Sequence, residues 1–448
     1  MIIKFKNLGP IESGEINFND LKGINLIIGK NNTGKTYLSN LLYSYFKVRQ
    51  RQDLKMKEVF DINFKKELSN LDYETIKHYF EKKYENEIKN ILPQIFHTSK
   101  DIFKDFKIEV DLSDEILEFK KLDDYTIICF REMKKTIKLK KMQNKIEYIM
   151  EDYDENKGKR YTTYKAKIQE EDAKQFIFGY FLHIKFFQKI YKFHSFPAER
   201  SGAVLFYKQL LEERSDVLRE LELGNSENIG KISRYSEPVN DYVKFLNSIS
   251  DRSKGLTELD IYKKLDTELK EILGGEVIID LEGNIMFRMN EKKIIDIGMV
   301  SSTVKTLTGF YLYLKYFAME RDIIFIDEIE LNLHPENQRK IIKLINYLSK
   351  QGIKFIISTH SPIITEEIDN MLLFEKVKDK INSEEMKEYG INSEYGLKTS
   401  DINVFHLHNK TVEKIKEKNG EFEIETFNTV LEETDNLYQT LLFYAEEK

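Results

Sequence analysis

Residues 29 to 36 read Gly29-Lys30-Asn31-Asn32-Thr33-Gly34-Lys35-Thr36, directly after an apolar run (Ile24, Leu26, Ile27, Ile28) and before a helical pattern from Tyr37 to about Phe46. No other stretch constrains the fold as tightly, because such a loop needs a buried strand to leave and a helix to enter. The glycines let the backbone curl until successive N–H groups point inward, where a Cβ would obstruct an approaching phosphate. The spacing brings Lys35 to the β- and γ-phosphates of a nucleoside triphosphate and Thr36 to a Mg²⁺ ion. The helix that follows turns its positive end to the same anion.

A second half of such a site lies most of the chain away. Ile323-Ile324-Phe325-Ile326 is a buried strand ending in Asp327-Glu328, the pattern in which one carboxylate holds Mg²⁺ and the next polarises the attacking water. Ile329-Glu330-Leu331-Asn332-Leu333-His334-Pro335 follows, then a helix from Pro335 to Ser349. The next apolar strand, Lys354-Phe355-Ile356-Ile357, ends in Ser358-Thr359-His360-Ser361-Pro362, which offers His360 as a hydrogen-bonding partner for a γ-phosphate. From Ser301 onward helix and strand alternate, the sign of a mostly parallel sheet.

The intervening sequence reads as strands Ile2 to Phe5 and Glu15 to Phe18 turned by Gly9-Pro10, then helices from about Arg49 to Asn90, and an antiparallel portion from Phe106 to Tyr153. Helices are expected at Glu171 to Tyr191, Phe206 to Leu223 and Val239 to Leu246, and a hairpin joins Val277–Asp280 to Ile285–Arg288 across Glu282-Gly283-Asn284. The chain is 33% charged with a formal net charge of −6, so contact with a polyanion would need a local basic patch. Lys134-Lys135-Thr136-Ile137-Lys138-Leu139-Lys140-Lys141 is one such stretch, or a solvated hairpin face. The single cysteine, Cys129, sits in an apolar run as a buried small hydrophobe. No apolar run approaches the roughly 20 residues a membrane span needs, and Met1 to Lys6 alternates like a strand rather than a signal peptide. A cytoplasmic protein with no membrane partner is expected.

Asp327-Glu328-Ile329-Glu330 with Leu331-Asn332-Leu333-His334-Pro335, Ser358-Thr359-His360-Ser361-Pro362 and the P-loop together resemble the ABC-type ATPases of the SMC, RecF and overcoming-lysogenization-defect group, and most closely the compact prokaryotic AAA ATPases of phage-defence systems. The resemblance covers roughly residues 1–48 and 190–448. It implies an α/β P-loop NTPase with a mixed sheet, a split ATPase head of residues 1–48 and 191–448, and an inserted helical and β segment at 49–190. It implies ATP and Mg²⁺ as cofactors, and heads closing face to face as a homodimer or higher homo-oligomer, each ATP completed by the partner's signature segment. That segment departs from the group's pattern: Val300-Ser301-Ser302-Thr303-Val304-Lys305 lacks glycines. Ser301 or Ser302 could present a hydroxyl and helix amides to a γ-phosphate in trans, with Lys305 adding charge, or could simply cap a helix. Phe196-Pro197-Ala198-Glu199-Arg200-Ser201 is similar to a recurrent segment of these ATPases, placing Arg200 near the nucleotide or head interface, or in a surface salt bridge. Gln50, Gln52 and Gln188 are all available as a Q-loop glutamine. The part after Pro362 shows no clustered acidic metal site, so no toprim-like nuclease is expected there.

The function expected from this resemblance is ATP hydrolysis gating a separate effector, a nuclease or toxin, in antiphage defence. A DNA-stimulated repair or chromosome-maintenance ATPase and a non-hydrolysing ATP-bound scaffold are the alternatives.

Overall fold

The computed structural model describes residues 2–50, 73–111, 117–122, 125–130, 135–142, 146–154, 159–168, 192–222, 235–249, 261–290, 293–418, 422 and 435–442. Among them, seventeen strands form three sheets: β1 (Ile2–Leu8), β2 (Ile11–Asn17), β3 (Ile24–Gly29), β4 (Lys107–Asp111), β5 (Leu117–Leu122), β6 (Tyr125–Phe130), β7 (Lys135–Lys141), β8 (Ile146–Asp154), β9 (Lys159–Ile168), β10 (Phe193–Phe196), β11 (Gly275–Ile279), β12 (Ile285–Met289), β13 (Ile294–Asp296), β14 (Ile323–Ile326), β15 (Lys354–Thr359), β16 (Ile402–His408) and β17 (Thr411–Ile415). The helices are α1 (Lys35–Gln50), α2 (Tyr73–Ile95), α3 (Arg200–Glu222), α4 (Glu237–Ser248), α5 (Ile261–Leu273), α6 (Ser302–Tyr316), α7 (Pro335–Lys350), α8 (Pro362–Val377) and α9 (Ser383–Glu388).

The α/β fold is built on a nine-stranded mixed sheet of order β10-β14-β15-β3-β16-β17-β2-β1-β4. Its first five strands are all parallel, and the turn at β16–β17 starts a largely antiparallel half. Strand alternation explains why both faces are covered. On β3, Ile24, Leu26 and Ile28 belong to one core with residues of α6, α7 and α8, whereas Ile27 points into the other, with Leu38, Leu41 and Leu42 of α1. The same split separates Ile324 and Ile326 from Ile323 and Phe325 on β14. Each such side chain, fully withdrawn from water, contributes about 1.5–3 kcal/mol, so the central strands form a rigid floor under whatever stands at their ends.

Several differences from the sequence reading have physical causes. The opening strands run on to Leu8 and Ile11, which pair directly across Gly9-Pro10, because a two-residue turn leaves no slack. Residues 107–111 leave the expected insertion: β4 pairs with β1, burying Ile108 and Val110 against the α1–α2 core. The antiparallel portion is instead the separate sheet β5-β6-β7-β8-β9, reaching Ile168. Within it β7 carries the basic stretch, and Lys138 pairs with Glu151 at 2.7 Å. The hairpin at 277–288 gains a third strand, β13. The expected helix at 171–191 lies outside the described residues, and residues 435–442 are helical. Among the described residues no helix is long and apolar enough to cross a membrane.

Candidate functional site

The P-loop leaves β3 at Gly29 and enters α1 at Lys35. Its two glycines are required by geometry. Gly34 has φ +103°, and a Cβ there would stand 2.8 Å from Ile11 Cγ1 and 2.9 Å from Pro10 Cγ. Gly29 has φ +157°, and its Cβ would meet Thr33 Oγ1 at 2.7 Å and the Leu407 carbonyl at 2.9 Å. Asn32 between them is also left-handed, at φ +65°. Thr33 closes the turn by donating its hydroxyl to the Lys30 carbonyl at 2.8 Å, and the Leu38 amide donates to Gly34 at 2.9 Å to start the helix. Asn31, Asn32 and Thr36 stand at the rim, and all three are exposed.

Lys35 is 9% exposed. Its Nζ donates to the carbonyls of Gly29 and Lys30, both at 2.9 Å, so the ammonium bridges the mouth of the loop. Burial pushes its pKa down, against the opposing pull of Glu328, Glu330 and Asp327. Those three acids therefore face the ammonium across the site, and a lysine held there is a ready counter-charge for phosphate.

The acids are positioned by β14 and its parallel neighbours, β10 on one side and β15 on the other. The Asp327 amide donates to Phe196 on β10 at 3.0 Å. The hydroxyl of Ser358, on β15, donates to Asp327 Oδ1 and accepts from the Glu328 amide at 2.9 Å, so one serine ties both acidic residues to the sheet. Burial raises the Asp327 pKa, opposed by Ser358, Arg200 and Lys35. Glu328 sits at φ +49°, a left-handed conformation for a non-glycine residue, which costs about 1–3 kcal/mol.

Arg200 is neither a surface salt bridge nor a rim residue: it is 2% exposed. Its Nη1 donates to Pro197 at 3.0 Å and to the Asp327 carbonyl at 2.6 Å, and its Nη2 donates to the Glu328 carbonyl at 2.7 Å. Hydrogen bonds from a charged donor contribute about 1.5–3 kcal/mol each, enough to offset the strained backbone at Glu328.

Glu330, 8% exposed, accepts from Thr359 Oγ1 at 2.7 Å and from the His360 amide at 2.7 Å, and its Oε1 lies 2.9 Å from His360 Nδ1. His360 is thus tied through one nitrogen to the loop after β14, while 42% of its side chain stays exposed.

Ser301 is the N-cap of α6 and accepts from the Val304 amide at 3.3 Å. Ser302 is exposed and Lys305 half-buried on the same first turn. Among the described residues no hydrogen bond or ion pair joins Ser301, Ser302 or Lys305 to the P-loop of the same chain. Their link to the acidic side runs through Thr303, whose hydroxyl donates to the Asn332 carbonyl at 2.7 Å, and through Asn332 Nδ2, which donates to Thr306 Oγ1 at 3.1 Å.

Gln50 is the last residue of α1, and at about 1.5 Å of rise per residue the helix carries it on the order of 20 Å from Thr36, too far to serve the site. Gln52 and Gln188 lie outside the described residues. The strand beside β14 is instead followed by Pro197 to Arg200. A cavity of about 220 Å³ opens there, lined by Thr36, Asn40, Ser195, Glu199, Ser236 and Asp327 among others.

Thr36 and Asp327 lining one cavity suits Mg²⁺, whose hard oxygen ligands come mainly from phosphate and water with one or two from protein. Among the described residues no group of three or more His, Cys, Asp or Glu is arranged to hold a metal without such help. Sequence reasoning missed the clamp by Arg200 and the tethering by Ser358 and Glu330. The polar residues Ser358-Thr359 at the end of an apolar strand were the available signal for the tethering; nothing local marks the clamp.

A family model described as the AAA ATPase domain matches residues 1–365. Among solved structures, the chain is similar to the SMC head domain from Thermotoga maritima, with 11% identity over 93% of this chain and 98% of that one and a TM-score of 0.27. It is also similar to an SMC head bound to the C-winged helix domain of ScpA, with 10% identity over 95% and 98% and a TM-score of 0.34. A third is an SMC head domain with an extended coiled coil bound to the C-terminal domain of ScpA, derived from Pyrococcus furiosus, with 11% identity over 97% and 98% and a TM-score of 0.32.

Proposed function

Because this chain belongs to the AAA ATPase domain family, we propose that it is a Mg²⁺-dependent ATPase whose nucleotide state drives association of its heads, and that it controls a separate effector protein, a nuclease or toxin, in cytoplasmic antiphage defence. The observation that supports ATP hydrolysis is the convergence, at the carboxyl ends of the adjacent parallel strands β14, β15 and β3, of Asp327 and Glu328, His360 and the P-loop.

In this reading the amides of residues 29–34 cradle the phosphates, and Lys35 exchanges its two carbonyl partners for β- and γ-phosphate oxygens. Thr36 and Asp327 hold Mg²⁺, which spreads the phosphate charge when bound. Glu328 orients a water and takes its proton as the water oxygen bonds to the γ-phosphorus. The bond from that phosphorus to the β–γ bridging oxygen breaks, leaving ADP and inorganic phosphate. His360 hydrogen-bonds the γ-phosphate through the nitrogen that Glu330 does not engage. Ser301, Ser302 and Lys305, exposed or half-buried and unconnected to their own P-loop, complete the site of a second copy. The defence role and the effector rest on likeness of motifs.

The test is light-scattering mass of Glu328→Gln with and without Mg-ATP, beside turnover of the wild type. Glu328→Gln is expected to bind ATP, to lose turnover by at least about 10²-fold and to rise in mass with ATP, while Lys35→Ala fails to bind. An unchanged monomer refutes ATP-driven association, and normal turnover by Glu328→Gln removes that residue from its role. Stimulation of wild-type turnover by short DNA duplexes would replace the effector reading with a DNA-directed one.

A further inference from the structure

We infer that Arg200 is a positioning residue for hydrolysis: its buried guanidinium grips the consecutive carbonyls of Asp327 and Glu328 and so aims both carboxylates toward the bound triphosphate. The inference rests on the ATPase reading above and names a residue that the reading does not use.

Three observations carry it. Arg200 opens α3 immediately after β10, the strand that pairs with β14, so its reach to β14 is set by the sheet itself. All three of its described hydrogen bonds go to backbone carbonyls, those of Pro197, Asp327 and Glu328. A buried guanidinium serving only as a structural ion pair would be expected to meet a carboxylate head-on. Here the cation instead spans the peptide units on either side of Glu328, the acid held in a left-handed backbone at φ +49°. On the far side, Ser358 holds the Glu328 amide and the Asp327 carboxylate. The turn after β14 is thus fixed from two directions, by a serine from β15 and by an arginine from the start of α3, and only the side chain of Glu328 is left to reorient.

Lysine cannot reproduce this grip, since a single ammonium lacks the planar fork that reaches two carbonyls at once. Arg200→Lys should keep the charge, the apolar stem and ATP affinity within about threefold, while kcat falls about 30- to 100-fold, the loss typical of misplaced reacting groups. In the Glu328→Gln background, Arg200→Lys should cause a smaller further loss in single-turnover hydrolysis than it causes in the wild type, because part of its effect is exerted through Glu328. In ligand-free protein, hydrogen exchange of the amides at 327–331 should quicken by at least about tenfold without change at 354–357. Arg200→Gln serves the same measurements if Arg200→Lys does not fold by circular dichroism.

Wild-type turnover in Arg200→Lys, or a full independent loss on top of Glu328→Gln, overturns the inference. So does a loss confined to ATP affinity. Wild-type protein that hydrolyses no ATP would fail the parent reading instead, and the exchange measurement would still report whether the clamp holds the turn.

Discussion

Tyr313 stands between two groups whose titrations oppose each other. Its hydroxyl donates to Asp322 Oδ2 at 2.6 Å, and its ring centroid lies 4.6 Å from that of His194. Asp322 is 2% exposed, and burial pushes its carboxyl from 3.8 up to about 6. His194, whose Nε2 has no hydrogen-bond partner, is pushed by burial from 6.5 down to about 4, and Lys192 adds to that depression. Asp322 binds its proton more tightly when folded, so its contribution is full below about pH 4 and is lost as pH rises to about 6. His194 binds its proton more weakly when folded, so stability is lost as pH falls from about 6.5 to 4. At about 1.4 kcal/mol for each tenfold change in proton affinity, each swing is roughly 3 kcal/mol, and the two nearly cancel in the wild type. Asp322→Asn removes one of them. Its stability relative to wild type should therefore improve by roughly 3 kcal/mol between pH 4 and pH 7, and His194→Phe should show the reverse trend. The chain has no tryptophan, so urea unfolding followed by far-ultraviolet circular dichroism at several pH values is the assay. A flat difference profile for Asp322→Asn, or one of opposite slope, would refute the reasoning.

Gly34→Ala forces a Cβ against Pro10 and Ile11 at a backbone angle that alanine avoids; isothermal titration should show ATP affinity reduced by at least about tenfold, from strain of roughly 1–3 kcal/mol. Glu330→Gln keeps the volume of the acid but removes the charge facing His360 and Lys35. Steady-state turnover should drop by about 10-fold, within the range for losing a partner that orients a reacting group, and wild-type rates would show that Glu330 is only a structural acceptor.

The strands that carry the candidate site are legible in sequence because each is a short apolar run ending abruptly in polar residues. Asp327, Glu328, His360 and the P-loop mark themselves in that way, and burial on both faces of a parallel sheet leaves no competing amphipathic pattern. The position of β4 beside β1 is not legible, since pairing across a long insertion leaves no local trace. Arg200 is opaque for a related reason: a basic residue four positions beyond a short strand looks like any helix start, and its identity as a clamp depends on carbonyls at 327 and 328 that have no side-chain signature. Glu330 reads as one more acid in a charged loop until Thr359 and His360 are brought over it. The segment at 300–305 is legible as the start of a helix, but a cap and a γ-phosphate contact use the same hydroxyls and amides, so sequence alone does not separate the two readings left open there.

The parallel neighbours of β3 are β15, at 354–359, and β16, at 402–408. On the ribosome, then, the phosphate loop emerges long before the strands that flank it, and the strand beneath it stays unpaired on both edges until they follow. At about 5–20 residues per second, that interval is on the order of half a minute, during which Ile24, Leu26, Ile27 and Ile28 are uncovered. A nascent chain interrupted before β15 displays the phosphate-binding motif without either of the parallel strands that flank it. The same delay makes this apolar strand a natural point of chaperone engagement during synthesis of the chain.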